Sequence, residues 1–168
     1  MFGLTTLGTI HTAIGLVALI AGALALMRDK AIVPGTTLGQ VFIWTTVLTC
    51  LTGFGIFRHG GFGPPHVLGI VTLVVLGVAW AAPRWLGRVG PYVQTLALSF
   101  GFFLHFIPGT TETFTRLPAG APLFTGPEDP ALAKTLGALF LIFLVGAGLQ
   151  LRRMRAARGS MGGMAGAA

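Results

Sequence analysis

The segment FGLTTLGTIHTAIGLVALIAGALALM, residues 2–27, decides the class of this protein. It contains no Asp, Glu, Lys or Arg. Because a helix of about 20 apolar residues crosses the hydrocarbon core of a bilayer, the segment predicts a membrane-spanning helix. One ionisable side chain, His11, lies inside it.

The rest of the chain repeats this pattern. Only 9% of all residues are charged and 54% are hydrophobic, whereas a soluble domain has roughly 25% charged residues. Four further segments lack Asp, Glu, Lys and Arg: 31–57, 59–83, 89–111 and 135–151. The sequence therefore predicts an all-α integral membrane bundle of about five transmembrane helices.

Glycine and proline separate the predicted helices. Their approximate bounds are 3–27, 36–57, 65–82, 91–108 and 131–153. We predict one transmembrane domain over residues 1–158, with a proline-containing outer loop at 109–130. Residues 159–168 are rich in Gly, Ala and Met, and their low complexity predicts a disordered tail.

Basic residues predict the orientation. With the N-terminus outside, eight bases fall on the inner side: Arg28, Lys30, Arg84, Arg88, Arg152, Arg153, Arg155 and Arg158. Three fall outside: Arg58, Arg116 and Lys134. This excess follows the positive-inside rule and predicts N-terminus out and C-terminus in, in the cytoplasmic membrane of a bacterium. The net charge of +7 is thus a topology signal and does not predict nucleic-acid binding.

All four histidines fall in the predicted outer half. His11 and His105 lie inside helices 1 and 4, where an ionisable residue usually faces the bundle interior and indicates a functional site. His66 begins helix 3 and His59 precedes it in the connecting loop. Instead of a functional site, His11 and His105 could each form a simple hydrogen bond to a neighbouring helix. His59 and His66 could instead lie at the membrane–water interface, in contact with water.

These imidazoles predict a cofactor. Neutral imidazole with one carboxylate suits zinc, copper or iron, and the candidate metal ligands are His11, His66, His105 and Glu112. The second candidate is a b-type haem, which requires axial histidines from facing helices, here from among His11, His66 and His105. Arg116 would then pair with a haem propionate. Glu112 and Arg116 also have the spacing of an ordinary helical ion pair.

Threonines at 45, 49 and 52 share one face of the second helix. Their spacing predicts helix packing and hydroxyl bonds to the preceding turn, and it is a poor candidate for an ion path.

The sequence leaves three functions open. The first is a redox or electron-transfer protein with a histidine-ligated metal or haem near the outer face. The second is a structural accessory subunit of a larger respiratory or photosynthetic membrane complex, without its own cofactor. The third, a membrane hydrolase with metal-bound water, has less support, because the sequence lacks a P-loop, His-Glu-x-x-His and a serine nucleophile elbow. No catalytic residue is predicted.

Three stretches, TIHTAIGL (9–16), LALMRDK (24–30) and RHGGF (58–62), resemble small bacterial multi-pass membrane proteins that share a domain of unknown function. Those proteins commonly carry a histidine in the basic turn after helix 1, which this chain lacks. The resemblance implies a multi-pass bundle and no particular activity. The arrangement of single histidines on separate helices is also similar to the general plan of di-haem membrane cytochromes, with enough histidines near one face for one haem.

Overall fold

The structure, a computed structural model, describes residues 5–57 and 61–165. Within these ranges every regular element is helical. The elements are α1 (Thr6–Asp29), α2 (Thr37–Gly53), α3 (Pro64–Trp85), a 3₁₀ turn (Gly87–Val89), α4 (Gly90–Leu104), α5 (Phe106–Phe114) and α6 (Pro130–Ala165). The predicted all-α class is confirmed.

Four segments of the described chain are long and apolar enough to cross a membrane: Thr6–Asp29, Pro64–Trp85, Gly87–Phe114 and Pro130–Gly159. The remaining helix, α2, has 17 residues and is about 26 Å long at 1.5 Å per residue. This is slightly less than the roughly 30 Å thickness of the hydrocarbon core. Four spans are therefore supported by length and composition, and α2 is at the lower limit.

Small residues on α1 bring the helices together. Ala18, Ala21 and Ala25 are buried, and they form a core with Phe42, Leu76 and other apolar side chains. A Cβ atom at Gly22 would lie 2.5 Å from the ring of Phe102. Interfaces between membrane helices use small residues in this way, because close backbone approach gains packing contacts. The most extensive helix contacts are between α1 and α2 and between α3 and α4.

Pro108 explains why α4 ends at Leu104. A proline has no N–H group and its ring clashes with the carbonyl four residues earlier, which here belongs to Leu104. The helix breaks at His105 and restarts as α5, whose first hydrogen bond runs from Gly109 N to His105 O at 3.1 Å. The proline thus places His105 at a helix junction.

Pro83 has a similar effect near the end of α3, but here the freed carbonyl finds a partner. The carbonyl of Ala79 accepts a hydrogen bond from Nε2 of Gln94, on α4, at 2.9 Å. Ala79 is buried, so this side chain replaces a backbone donor that proline cannot supply. The predicted end of the helix at 82 is too early, because Pro83 is accommodated within the last turn.

Two predicted irregular regions are partly helical. The predicted loop at 109–130 begins within α5, which continues to Phe114. The predicted tail at 159–168 is helical as far as Ala165, and its last three residues lie outside the described ranges. Extending an existing helix is much easier than starting one, and the bases that follow Leu151 are good helix formers.

Candidate functional site

His11 of α1 is hydrogen-bonded to α2. Its Nδ1 lies 3.1 Å from Oγ1 of Thr52. The Thr52 hydroxyl donates to the backbone carbonyl of Leu48 at 2.8 Å, so its oxygen accepts the hydrogen bond from His11. With the proton assigned to Nδ1 on this basis, the imidazole donates to Thr52 and Nε2 keeps a lone pair. This tautomer can bind a metal ion or accept a proton through Nε2.

Gly53 makes the close approach of His11 possible. A Cβ atom at residue 53 would lie 3.2 Å from Cε1 of His11, which is a tight contact. Because Gly53 ends α2 next to Thr52, a small residue and a hydrogen-bond acceptor together position the ring.

His105 contacts the same helix at a different level. Its Nε2 lies 2.9 Å from Oγ1 of Thr46, and the ring of Phe42 stands edge-on to the imidazole with centroids 6.0 Å apart. Thr46 is fully buried and His105 is 9% exposed. His105 can act as a ligand through Nδ1 if its Nε2–H donates to Thr46. It can act as a ligand through Nε2 only if the hydrogen bond to Thr46 is broken.

The two intramembrane histidines and Glu112 lie at one end of the bundle, here called the histidine end. His11 interacts electrostatically with Glu112, and His105 interacts electrostatically with His11. Glu112 also forms an ion pair with Arg116, one turn further along the chain. Of the predicted site residues, His11, His105 and Glu112 thus lie at the same end of the bundle, with Arg116 bound to the carboxylate, but among the described residues they do not form a metal-binding group of three.

His66 has separate surroundings. Its imidazole is stacked between the rings of Phe57 and Phe62, with centroid distances of 5.0 and 5.1 Å. Its Nδ1 accepts a hydrogen bond from the backbone N–H of Gly63 at 3.2 Å, which caps the first turn of α3 as the side chain of a capping box does. The proton is therefore on Nε2, which has no hydrogen-bond partner among the described residues.

Within the described ranges, no hydrogen bond, ring contact or ion pair joins His66 to the other predicted ligands. In addition, residues 5–57 and 61–165 contain no group of three or more His, Cys, Asp or Glu side chains that could hold a metal ion. A metal ion at His11 would therefore take at most two such ligands from these ranges. His59 and Arg58 lie outside the described residues.

Two threonines of α2 were not predicted as partners of the histidines. The predicted hydroxyl bonds to the preceding turn are confirmed for Thr45, Thr49 and Thr52. The contact of Thr52 with His11 and that of Thr46 with His105 join positions 41 and 59 residues apart. The threonine-rich pattern of α2 could have indicated that this helix offers polar partners, but the pattern does not indicate which helix faces which threonine.

No protein-family model matches the chain, and no curated protein or solved structure is significantly similar to it.

Proposed function

We propose that the protein is a multi-pass membrane protein that binds a redox-active transition metal ion at His11, near one face of the membrane, and takes part in electron transfer. Either Glu112 or His105 is the proposed second protein ligand, since the described residues supply at most two such ligands. Imidazole suits copper and iron, which change oxidation state, and also zinc, which does not.

The contact between Nδ1 of His11 and Oγ1 of Thr52 is the observation that carries this proposal. Histidines that bind metals commonly donate their second N–H to a nearby acceptor, which fixes the ring and leaves the other nitrogen free for the metal. Thr52 supplies such an acceptor to Nδ1 at 3.1 Å. The placement of an imidazole inside an apolar helix is costly, and a bound metal ion would explain why the chain has one there.

The packing supports a metal ion more than a b-type haem. A haem between helices needs an open cavity beside each axial histidine, but Nε2 of His105 is directed at Thr46 and its ring contacts Phe42. A cavity of about 750 Å³ does occur in the structure, but its lining residues include no histidine. Haem therefore remains the second cofactor to be tested.

We propose that the histidine end faces the outside and that the opposite end, the basic end, faces the cytoplasm. Arg84 and Arg88 lie at the junction of α3 and α4, and Arg152 and Arg153 lie in the C-terminal half of α6, beyond its apolar segment; positive-inside orientation would place all four in the cytoplasm. An electron carrier with a metal near the outer face would exchange electrons with a partner on that side. A bacterial inner membrane is the proposed location.

A pair of threonine variants tests the metal proposal. Thr52→Val removes the acceptor for His11, whereas Thr45→Val removes a hydroxyl that, among the described residues, bonds only to backbone carbonyls of its own helix. We expect Thr52→Val to weaken Cu²⁺ or Zn²⁺ binding by about 10- to 100-fold and Thr45→Val to leave it unchanged. Competition of the purified protein with a chromophoric chelator measures the affinity, and equal affinities for the two variants would contradict the proposal.

A cofactor-free accessory subunit is the second candidate, because α6 has little covering. In the most apolar window of this helix only 6% of the residues are buried, and Leu141, Ile142 and Val145 are each more than 60% exposed. Such a face would suit a neighbouring subunit as well as lipid. Crosslinking from position 145 in native membranes to a second protein, together with a metal-free and colourless preparation, would favour this role over electron transfer.

A further inference from the structure

A cavity of about 750 Å³ opens between α1, α4, the start of α5 and α6, and its lining residues include no histidine. Most of its wall is apolar. Six side chains that form this wall are Phe102, Phe103, Phe106, Leu139, Ile142 and Phe143. The volume is within the roughly 300–1,000 Å³ range of small-molecule sites.

The other end of the same cavity is positively charged. Lys30 from the end of α1, and Arg152 and Arg153 from α6, all line it. Along α6, Leu139 and Arg152 are thirteen residues apart, or about 20 Å at 1.5 Å per residue. This length exceeds one leaflet of the hydrocarbon core, which is about half of 30 Å. The cavity therefore offers an apolar channel one leaflet deep with cations at its end.

Buried hydrogen bonds hold Lys30 at the same level of the bundle as Arg152 and Arg153. The side chain of Gln150 is 8% exposed; its Nε2 donates to the backbone carbonyl of Lys30 at 3.0 Å, and its Oε1 accepts from the hydroxyl of Ser99 at 2.9 Å. Lys30 ends α1 in the left-handed conformation. The bonds of Gln150 therefore hold the start of the basic segment of α6 beside Lys30, the residue that caps α1, at one level of the bundle.

The cations at this level lack acidic partners within the described chain. Arg152 and Arg153 form no ion pair there, and the nearby Asp29 is paired with Arg28 at 2.9 Å. Lys30 donates to the carbonyl of Met27, which does not neutralise it. Three positive charges beside an apolar channel thus favour a ligand with an anionic head and an apolar body. Basic pockets between membrane helices bind anionic headgroups for this reason.

We propose that this cavity is a binding site for an anionic phospholipid. The phosphate lies against Lys30, Arg152 and Arg153, where arginine matches phosphate oxygens with paired N–H groups. An acyl chain follows the wall of phenylalanines between α4 and α6. The lipid would then fill the space that separates α6 from α1 and would join these two helices, whose direct contact in the structure is slight.

The charge part of the proposal is tested with lipid nanodiscs or vesicles of stated composition. Native mass spectrometry of the purified protein, after exchange into phosphatidylglycerol or phosphatidylcholine, measures how much lipid stays bound. We expect phosphatidylglycerol to be retained preferentially, and we expect Arg152→Gln with Arg153→Gln to weaken its retention about 30-fold. The control, Arg88→Gln with Arg155→Gln, makes the same change in net charge outside the cavity lining and should retain the lipid.

The apolar part is tested by filling the cavity. A Cβ atom at Gly146, which lines the cavity, or at Gly148, which does not, would meet no atom within 4 Å. Gly146→Leu should therefore reduce retention of phosphatidylglycerol without a clash in the fold, whereas Gly148→Leu should not. Equal retention of the two lipids, equal loss in test and control variants, or a copurified protein crosslinked to residue 146 would overturn the proposal.

Discussion

Removal of the Gln94 side-chain amide should destabilise the protein only because residue 83 is a proline. Gln94 Nε2 donates to the carbonyl of Ala79 at 2.9 Å, the carbonyl that would receive the N–H of residue 83 in an uninterrupted helix. Ala79 is 2% exposed, so water cannot replace the lost donor easily. A buried carbonyl without a partner costs about 1–3 kcal/mol, and we expect Gln94→Leu to lower the free energy of unfolding by that amount.

The matched background is Pro83→Ala. Alanine at residue 83 restores a backbone N–H that can bond to the carbonyl of Ala79, so Gln94→Leu should then cost less than half as much. The two substitutions form a double-mutant cycle, in which the coupling free energy measures the shared acceptor. Unfolding of the purified protein in mixed micelles with increasing dodecyl sulfate provides the four stabilities. An equal cost of Gln94→Leu in both backgrounds would refute this explanation.

Two further predictions concern the ends of helices. Gly39→Ala should destabilise the protein by about 1–3 kcal/mol, because its Cβ would lie 1.9 Å from the carbonyl oxygen of Val33. The control is Gly35→Ala, whose Cβ would meet nothing within 4 Å. Equal melting temperatures for the two variants would contradict the expectation. The backbone N–H of Thr125 and those of the first turn of α6 lower the pKa of Asp129. Its carboxylate therefore contributes stability above the unfolded pKa of about 3.9, and this contribution is lost as the pH falls through the lower folded value. Asp129→Asn should therefore reduce the fall in melting temperature at acid pH. A fall as large as in the wild type would disprove the role of this carboxylate at the start of α6.

Much of the fold follows from patterns that are local in the sequence. The charge-free segments predict where α1, α2, α3, α4 and α6 begin to within a few residues, because an apolar stretch in a membrane must satisfy its backbone internally as a helix. The errors lie at helix ends, namely at two prolines and at the C-terminal end of α6, which continues to Ala165. Pro83 stays inside α3 and Pro108 interrupts a helix that then continues to Phe114, since tertiary contacts and a restarted helix compensate for the missing N–H groups.

The candidate site was only partly predictable. His11 and His105 stand out because an ionisable residue in an apolar helix is rare, and the structure joins each of them to a threonine of α2. Their threonine partners could not be identified, because the pairing depends on how α1 and α4 pack against α2. His66 has the same residue type and lies near the same end of the bundle, but the structure gives it a capping hydrogen bond and two stacked phenylalanines.

The metal content of the purified protein tests the central claim most directly. Wild-type protein, extracted without chelators and loaded with Cu²⁺ or Zn²⁺ before removal of the excess, should contain about one ion per chain by elemental analysis, as expected for a single site at His11. His11→Ala should lose the ion while keeping a wild-type elution profile in gel filtration. A wild-type protein that retains no metal, or a His11→Ala variant that retains as much as the wild type, would contradict the proposed site.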